Sequence, residues 1–202
     1  MSNRDWTRET AHHTDDSMPA SEVPGGWWLR EPDRDDVDDI AAWLAEPAIN
    51  QWFDFGQGRQ TLPALAVQLM LQRGRHRLRV FGPAGHHAAS GIVAVTDMSH
   101  AFGTGSFWVL RDSHRPTCSD MTLLASRQVL ADAFRFERLR CITAWAVDCN
   151  VRSRHLLERL GFRPVGTQRD CHVMHGSRFA RVLYDLLPGE LASNQAIPPG
   201  DS

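Results

Sequence analysis

Residues Cys141 to Phe162 read CITAWAVDCNVRSRHLLERLGF. The apolar run Cys141–Val147 predicts a buried strand. It ends at Asp148-Cys149-Asn150, where Asn150 can cap a helix by accepting a backbone N–H. Leu156, Leu157 and Leu160 then fall on one face of a helix predicted over Val151–Leu160. Gly161 occupies the usual left-handed stop, and Phe162 can fold back on the last turn.

Outward from this unit the chain alternates. Met121–Phe136 reads as a long helix with apolar Leu123, Leu124, Leu130 and Phe134, and the polar loop Arg111–Asp120 precedes it. Before the loop come three strands, Leu78–Phe81, Ser90–Thr96 and Ser106–Leu110, the first two separated by Gly82-Pro83-Ala84-Gly85. Two helices precede these: Asp33–Leu44, with an Asp-rich start, and Leu62–Gln72, with Leu65 and Leu69 spaced along it and Gly74 ending it. Ile49–Gly58 is aromatic and irregular, and Trp27–Arg30 is a short strand closed by Pro32. Val165–Arg169 and Phe179–Leu187 form a closing pair around Gly176. This order predicts an α+β (mixed α/β) domain, with a mixed, mostly antiparallel central sheet of about six to seven strands and helices on both faces. Residues 26–188 form the expected domain. Residues 1–25 and 189–202, polar and containing Pro19, Pro24 and Pro198-Pro199-Gly200, are expected as a flexible leader and tail.

The composition removes several function classes. At 42% hydrophobic, 202 residues suffice for one core. A net charge of -2 implies no broad nucleic-acid surface. The chain contains no lysine, which excludes lysine Schiff-base chemistry and phosphate-binding P-loops. Four cysteines without a CxxC pair and the absence of an apolar signal segment point to a reducing, cytoplasmic setting. No apolar run is long enough to span a membrane. Cys171-His172-Val173-Met174-His175 offers soft ligands at close spacing, but no second cluster completes a tetrahedral set, so no metal is expected.

The order Asn150-x-x-Ser153, Leu156-Leu157-Glu158, Leu160-Gly161-Phe162-Arg163 resembles the acetyl-CoA-dependent N-acetyltransferases called GNATs. It is most similar to the branch that includes the ribosomal-protein-alanine acetyltransferases. Trp28-Leu29-Arg30-Glu31-Pro32 with the Asp-rich helix after it, the Ile49–Phe55 stretch and the ending Val182–Leu187 share that likeness, which covers about Trp27 to Pro188.

The resemblance implies the GNAT fold and transfer of an acyl group, acetyl first, from acyl-CoA to a primary amine by direct attack. In that family the pantetheine arm enters where the strand before the long helix splays from the strand after it. It pairs with backbone there as an added strand would, and the pyrophosphate lies at the long helix's N-terminus. Carried onto this chain, the donor-binding residues are Val109, Leu110, Arg111, Arg115, Cys118, Ser119, Asn150 and Ser153. Ser153 would donate a proton to the leaving thiolate. The family's tyrosine acid corresponds to Leu157 here, and the one tyrosine is Tyr184. Asp97 and Asp54 are the foremost candidate bases for the amine, with Asp112 and Glu31 behind them.

The pyrophosphate loop departs from the family pattern. Cys118 and Asp120 stand at its small positions, Pro116 lacks an N–H, and Asp120 suits the capping of an empty helix. Two readings follow. One is a CoA-dependent acyltransferase with a divergent loop and compensating arginines. The alternative is a protein of this fold with another donor, a carrier-protein thioester or an aminoacyl-tRNA, or with a binding role only. The acceptor is a small-molecule amine or a protein N-terminus. No membrane partner is expected, and nucleic acid only as a tRNA donor. Edge strands of this fold often pair, which allows a homodimer.

Overall fold

A computed structural model of the chain describes residues 21–23, 26–118 and 120–192. Ser119, most of the expected leader and residues 193–202 lie outside the described residues.

One eight-stranded sheet forms the centre, in the order β1-β2-β3-β4-β5-β6-β8-β7. The strands are β1 (Ser21–Val23), β2 (Trp27–Arg30), β3 (Arg77–Pro83), β4 (Gly91–Ser99), β5 (Thr104–Arg111), β6 (Cys141–Val147), β7 (Arg163–Met174) and β8 (Ser177–Leu186). Every pairing is antiparallel except β5 with β6. The mixed, mostly antiparallel sheet is therefore as expected. The strand beyond the expected number is β1, which pairs with β2 inside the stretch read as a leader. The closing strands are also longer than their apolar cores, because the β7–β8 hairpin continues through exposed polar residues.

The helices are α1 (Arg34–Ala45), α2 (Pro47–Asn50), α3 (Ala64–Gln72), α4 (Met121–Phe136) and α5 (Val151–Leu160). Alternation along the strands separates two cores. Val93, Val95, Phe107, Ile142 and Ala144 face α4 and α5, where Met121, Leu130, Leu157 and Leu160 are buried. Ile92, Ala94 and Leu110 face α1 and α3, where Ile40, Trp43, Leu44 and Val67 are buried. Helices thus cover both faces.

Local chemistry explains the ends. In α1, Asp33 accepts from the N–H groups of Asp35 and Asp36, and the Asp36 side chain accepts from the Asp33 N–H, a reciprocal cap. In α5, Asn150 accepts from the Ser153 N–H at 3.1 Å. At its other end Gly161 adopts φ +99°. Its N–H bonds to Glu158 O and the Phe162 N–H to Leu157 O, each at 3.0 Å, while Phe162 and Leu157 share one core. A Cβ on Gly161 would lie 2.0 Å from Glu190 O, because the segment after β8 crosses the helix end and Ala192 N–H bonds to Leu160 O at 3.1 Å. Residues 189–192, read as tail, are therefore packed against α5.

α3 departs from its expected face. It starts at Ala64, after Pro63, and buries Val67, while Leu65 and Leu69 are 65% and 41% exposed. Ala64, Val67 and Leu71, spaced at i, i+3 and i+7, form the stripe that meets the core.

Candidate functional site

β5 and β6 pair only through Thr104–Cys141, Gly105–Ile142 and Ser106–Thr143. Beyond that point they diverge, with no further pairing between them among the described residues. β5 continues to Arg111 with β4 on one edge and an open cleft on the other. The cleft has a volume of about 1650 Å³ and passes from the α4–α5 face of the sheet to the α1–α3 face.

The α4–α5 side takes in several residues foreseen as donor-binding. Val109, Arg111, Asn150 and Ser153 line it, with Thr122 and Leu123 from the first turn of α4, while Leu110 lines the cleft with its side chain toward the α1–α3 core. Ser153 is half-buried, and its hydroxyl has no partner among the described residues. Leu157 is buried at the family's tyrosine position. Tyr184, buried on β8, also lines this half, and its hydroxyl accepts from Arg154 Nε at 3.4 Å. That approach was not foreseeable from sequence, because β8 lies far along the chain from α5.

Two foreseen donor-binding residues sit elsewhere. Arg115 is held by Asp39 at 3.0 Å and Asp112 at 3.6 Å, tying the loop to α1 instead of facing the cleft. Cys118 packs against the α4–α5 core. Asp120 also differs from its expected role. It takes the left-handed conformation, φ +57°, and makes no side-chain cap to α4. Its carboxylate instead pairs with Arg159 of α5 at 2.9 Å. The backbone shape a glycine would give is thus present, and the negative charge at the helix start is balanced. Arg111 and Arg152 line the same region without an ion pair among the described residues.

On the α1–α3 side the carboxylates differ in character. Asp97 lies in the bulge of β4, exposed, with φ +52°. Its N–H donates to His76 Nδ1 at 3.1 Å. Burial pushes His76 below the usual histidine range, against the upward pull of Asp97. Both residues line the cleft beside Thr96, Ser106 and Thr143 at the fork. Asp54 lines it too but is engaged. It accepts from the N–H groups of Gly56 and Gly58 at 2.9 and 3.0 Å and pairs with Arg181 at 2.8 Å. Burial pushes Asp54 up, but these donors outweigh it and hold it below the usual carboxylate range. A carboxylate so held is a weak base. Asp112 is buried and accepts from Trp43 Nε1 and the His114 N–H, and Glu31 pairs with Arg79.

Arg181 is the hub of that wall. It lies 4.1 Å over the Trp145 ring and donates to His172 Nδ1 at 2.9 Å. His172 Nε2 then donates to Gln51 O at 2.6 Å, which fixes the tautomer, and burial pushes this histidine below its usual range. His172, a soft ligand by its place in the Cys171–His175 stretch, is thus spent on holding the 51–60 loop against the β7–β8 hairpin. No group of three metal-binding side chains occurs among the described residues.

The family model of the acetyltransferase (GNAT) domain matches residues 27–163. No curated protein matches the chain. Among solved structures, a spermidine N-acetyltransferase from Vibrio cholerae in complex with CoA and spermine overlays with a TM-score of 0.70 at 15% identity, over 82% of this chain and 97% of that one. The ribosomal-protein-S5-alanine acetyltransferase from Vibrio fischeri gives 0.69 at 17% identity, over 87% and 100%. RimJ of Mycobacterium smegmatis in complex with CoA-disulfide gives 0.66 at 18%, over 83% and 84%. The splayed strands, the capped α5 and the match over most of the domain agree, and the chain belongs to the GNAT acetyltransferase family.

Proposed function

We propose that the chain transfers an acyl group, acetyl in the first instance, from acyl-CoA to a primary amine. The observation that carries this reading is the fork: three parallel pairs, then an open strand edge leading to the start of a long helix. The acyl-CoA supplies the thioester that the amine attacks. The residues present fit such a donor. The open edge at Val109, Leu110 and Arg111 offers N–H and C=O groups to an amide-bearing arm. The first turn of α4, with Arg111, Arg152 and Arg159 around it, suits the anionic end. Asn150 shapes the first turn of α5. The Ser153 hydroxyl is free to give a proton to a leaving thiolate, with Tyr184 as the second hydroxyl in that half. Asp97 is the carboxylate free to take the proton of the amine, and Asp54 positions the loop instead.

The pairing of Asp120 with Arg159 relieves the repulsion that a lone carboxylate would bring to phosphate at this helix start, which makes the divergent loop compatible with a CoA donor. We place the chain nearest the ribosomal-protein-alanine branch on its Trp28–Pro32 and Asn150–Arg163 motifs. The acceptor is a small-molecule amine or a protein N-terminus. β7, exposed along Arg163–Asp170 at the end of the sheet, is the edge available if two copies pair.

Calorimetric titration with acetyl-CoA, followed by thiol release on offering amines, tests the reading. Micromolar binding with amine-dependent thiol release is expected, and no binding at high micromolar concentration refutes it.

A further inference from the structure

The acceptor half of the cleft has walls of a particular kind. Since Phe107, Ile142 and Ala144 face α4 and α5, alternation turns Trp108 and Trp145 to the other face. There Phe53 and Phe55 stack with centroids 5.5 Å apart and planes 5° apart, and each meets Trp108 edge-on, at 5.9 and 5.7 Å. All three rings are half-buried and line the cleft. Leu69, 41% exposed on α3, lines it as well. The rings rest with one side on the α1–α3 core and turn the other, half-exposed, into the concave cleft, as in sites that bind apolar ligands.

The charges in this half nearly cancel. Asp54 is neutralised by Arg181. The remaining carboxylates are Glu46 and Asp97, and the guanidinium groups of Arg59 and Arg73 line the same half without an ion pair among the described residues. Burial holds His76 toward its neutral form. A polycation would find no net attraction here, whereas one ammonium beside Asp97 could be matched while an apolar body rests on the rings.

Building on the acyltransferase reading, we infer that the acceptor is an arylalkylamine: a single primary amine carried on a flat apolar body. The same chemistry occurs in a free amine and in a peptide that begins with an aromatic residue.

The experiment uses the full chain with acetyl-CoA and follows thiol release. The amines are phenethylamine, tryptamine, a tripeptide beginning with phenylalanine, and spermidine. The expected kcat/KM for the arylalkylamines exceeds that for spermidine by about tenfold or more, and the tripeptide arm tells whether a peptide backbone is accepted after the ring. Phe55→Ala should raise KM for phenethylamine by about tenfold with the Kd for acetyl-CoA unchanged. Leu69→Glu, at an exposed position that keeps the fold, should shift preference toward spermidine. Spermidine equal to or better than the arylalkylamines overturns the inference while the acyltransferase reading stands. So does acetyl-CoA binding with no arylalkylamine turnover. Absence of both acetyl-CoA binding and thiol release overturns the acyltransferase reading itself.

Discussion

Replacing Arg181 by methionine tests the wall that holds the acceptor loop. Arg181 joins Asp54, His172 and the Trp145 ring, and the Arg181 and Asp54 side chains are only 14% and 15% exposed. Methionine keeps most of the volume and removes every polar contact. The charge-assisted hydrogen bonds to Asp54 and His172 together contribute about 2 kcal/mol, and a partly buried cation over an indole about 1 kcal/mol. Asp54 keeps its two backbone donors, so the loss stays near about 3 kcal/mol. In a domain of this size that lowers Tm by roughly 6–12 °C. Thermal unfolding followed by circular dichroism measures it, and steady-state kinetics should show a higher acceptor KM with the acetyl-CoA Kd unchanged. A Tm within about 2 °C of the parent protein would mean that the pair behaves as a solvated surface pair, and the account of this wall would be wrong.

Two further outcomes follow from the same geometry. His172 and His76 are held below the usual histidine value near 6.5, so the folded chain binds fewer protons than the unfolded one just below that pH. Their contribution is complete above about 6.5 and is lost as pH falls from there through the folded values. Tm should therefore drop between about pH 7 and pH 5, more steeply than in a His172→Gln variant, and superimposable profiles would count against it. Asp120→Gly keeps the left-handed backbone and frees Arg159, so calorimetry should show acetyl-CoA binding about threefold to tenfold tighter. Weaker binding would show that the Asp120–Arg159 pair helps to shape the anion site.

The parts of the molecule that could be read from sequence are those whose causes are local. Cys141–Val147, Val151–Leu160 and Met121–Phe136 have the bounds that periodicity, an Asn cap and a glycine stop imply. Asn150 and Ser153 reach the cleft because they ride on such a unit. What escaped depends on distant partners. Asp54 resembles a free base until Arg181, 127 residues on, is placed beside it. Arg115 resembles a phosphate ligand until α1 brings Asp39 to it. Asp120 suits a cap in sequence, but its left-handed backbone turns the carboxylate to Arg159. In α3, an apolar count cannot tell the core stripe through Val67 from the exposed stripe of Leu65 and Leu69, since both have helical spacing. The aromatic triad of the acceptor half could be suspected from Phe53 and Phe55, but Trp108 joins it only through the strand register.

The open edge of β5 also carries its own reporter. Amides along a strand point alternately to its two sides, so every second N–H between Phe107 and Arg111 faces the cleft and not β4. Those amides have no strand partner among the described residues and should exchange hydrogen for deuterium quickly, while their neighbours, locked to β4, exchange slowly. A donor lying along the edge would slow them selectively. Peptides spanning β5 would then register occupancy of the fork directly, even in a variant that performs no chemistry.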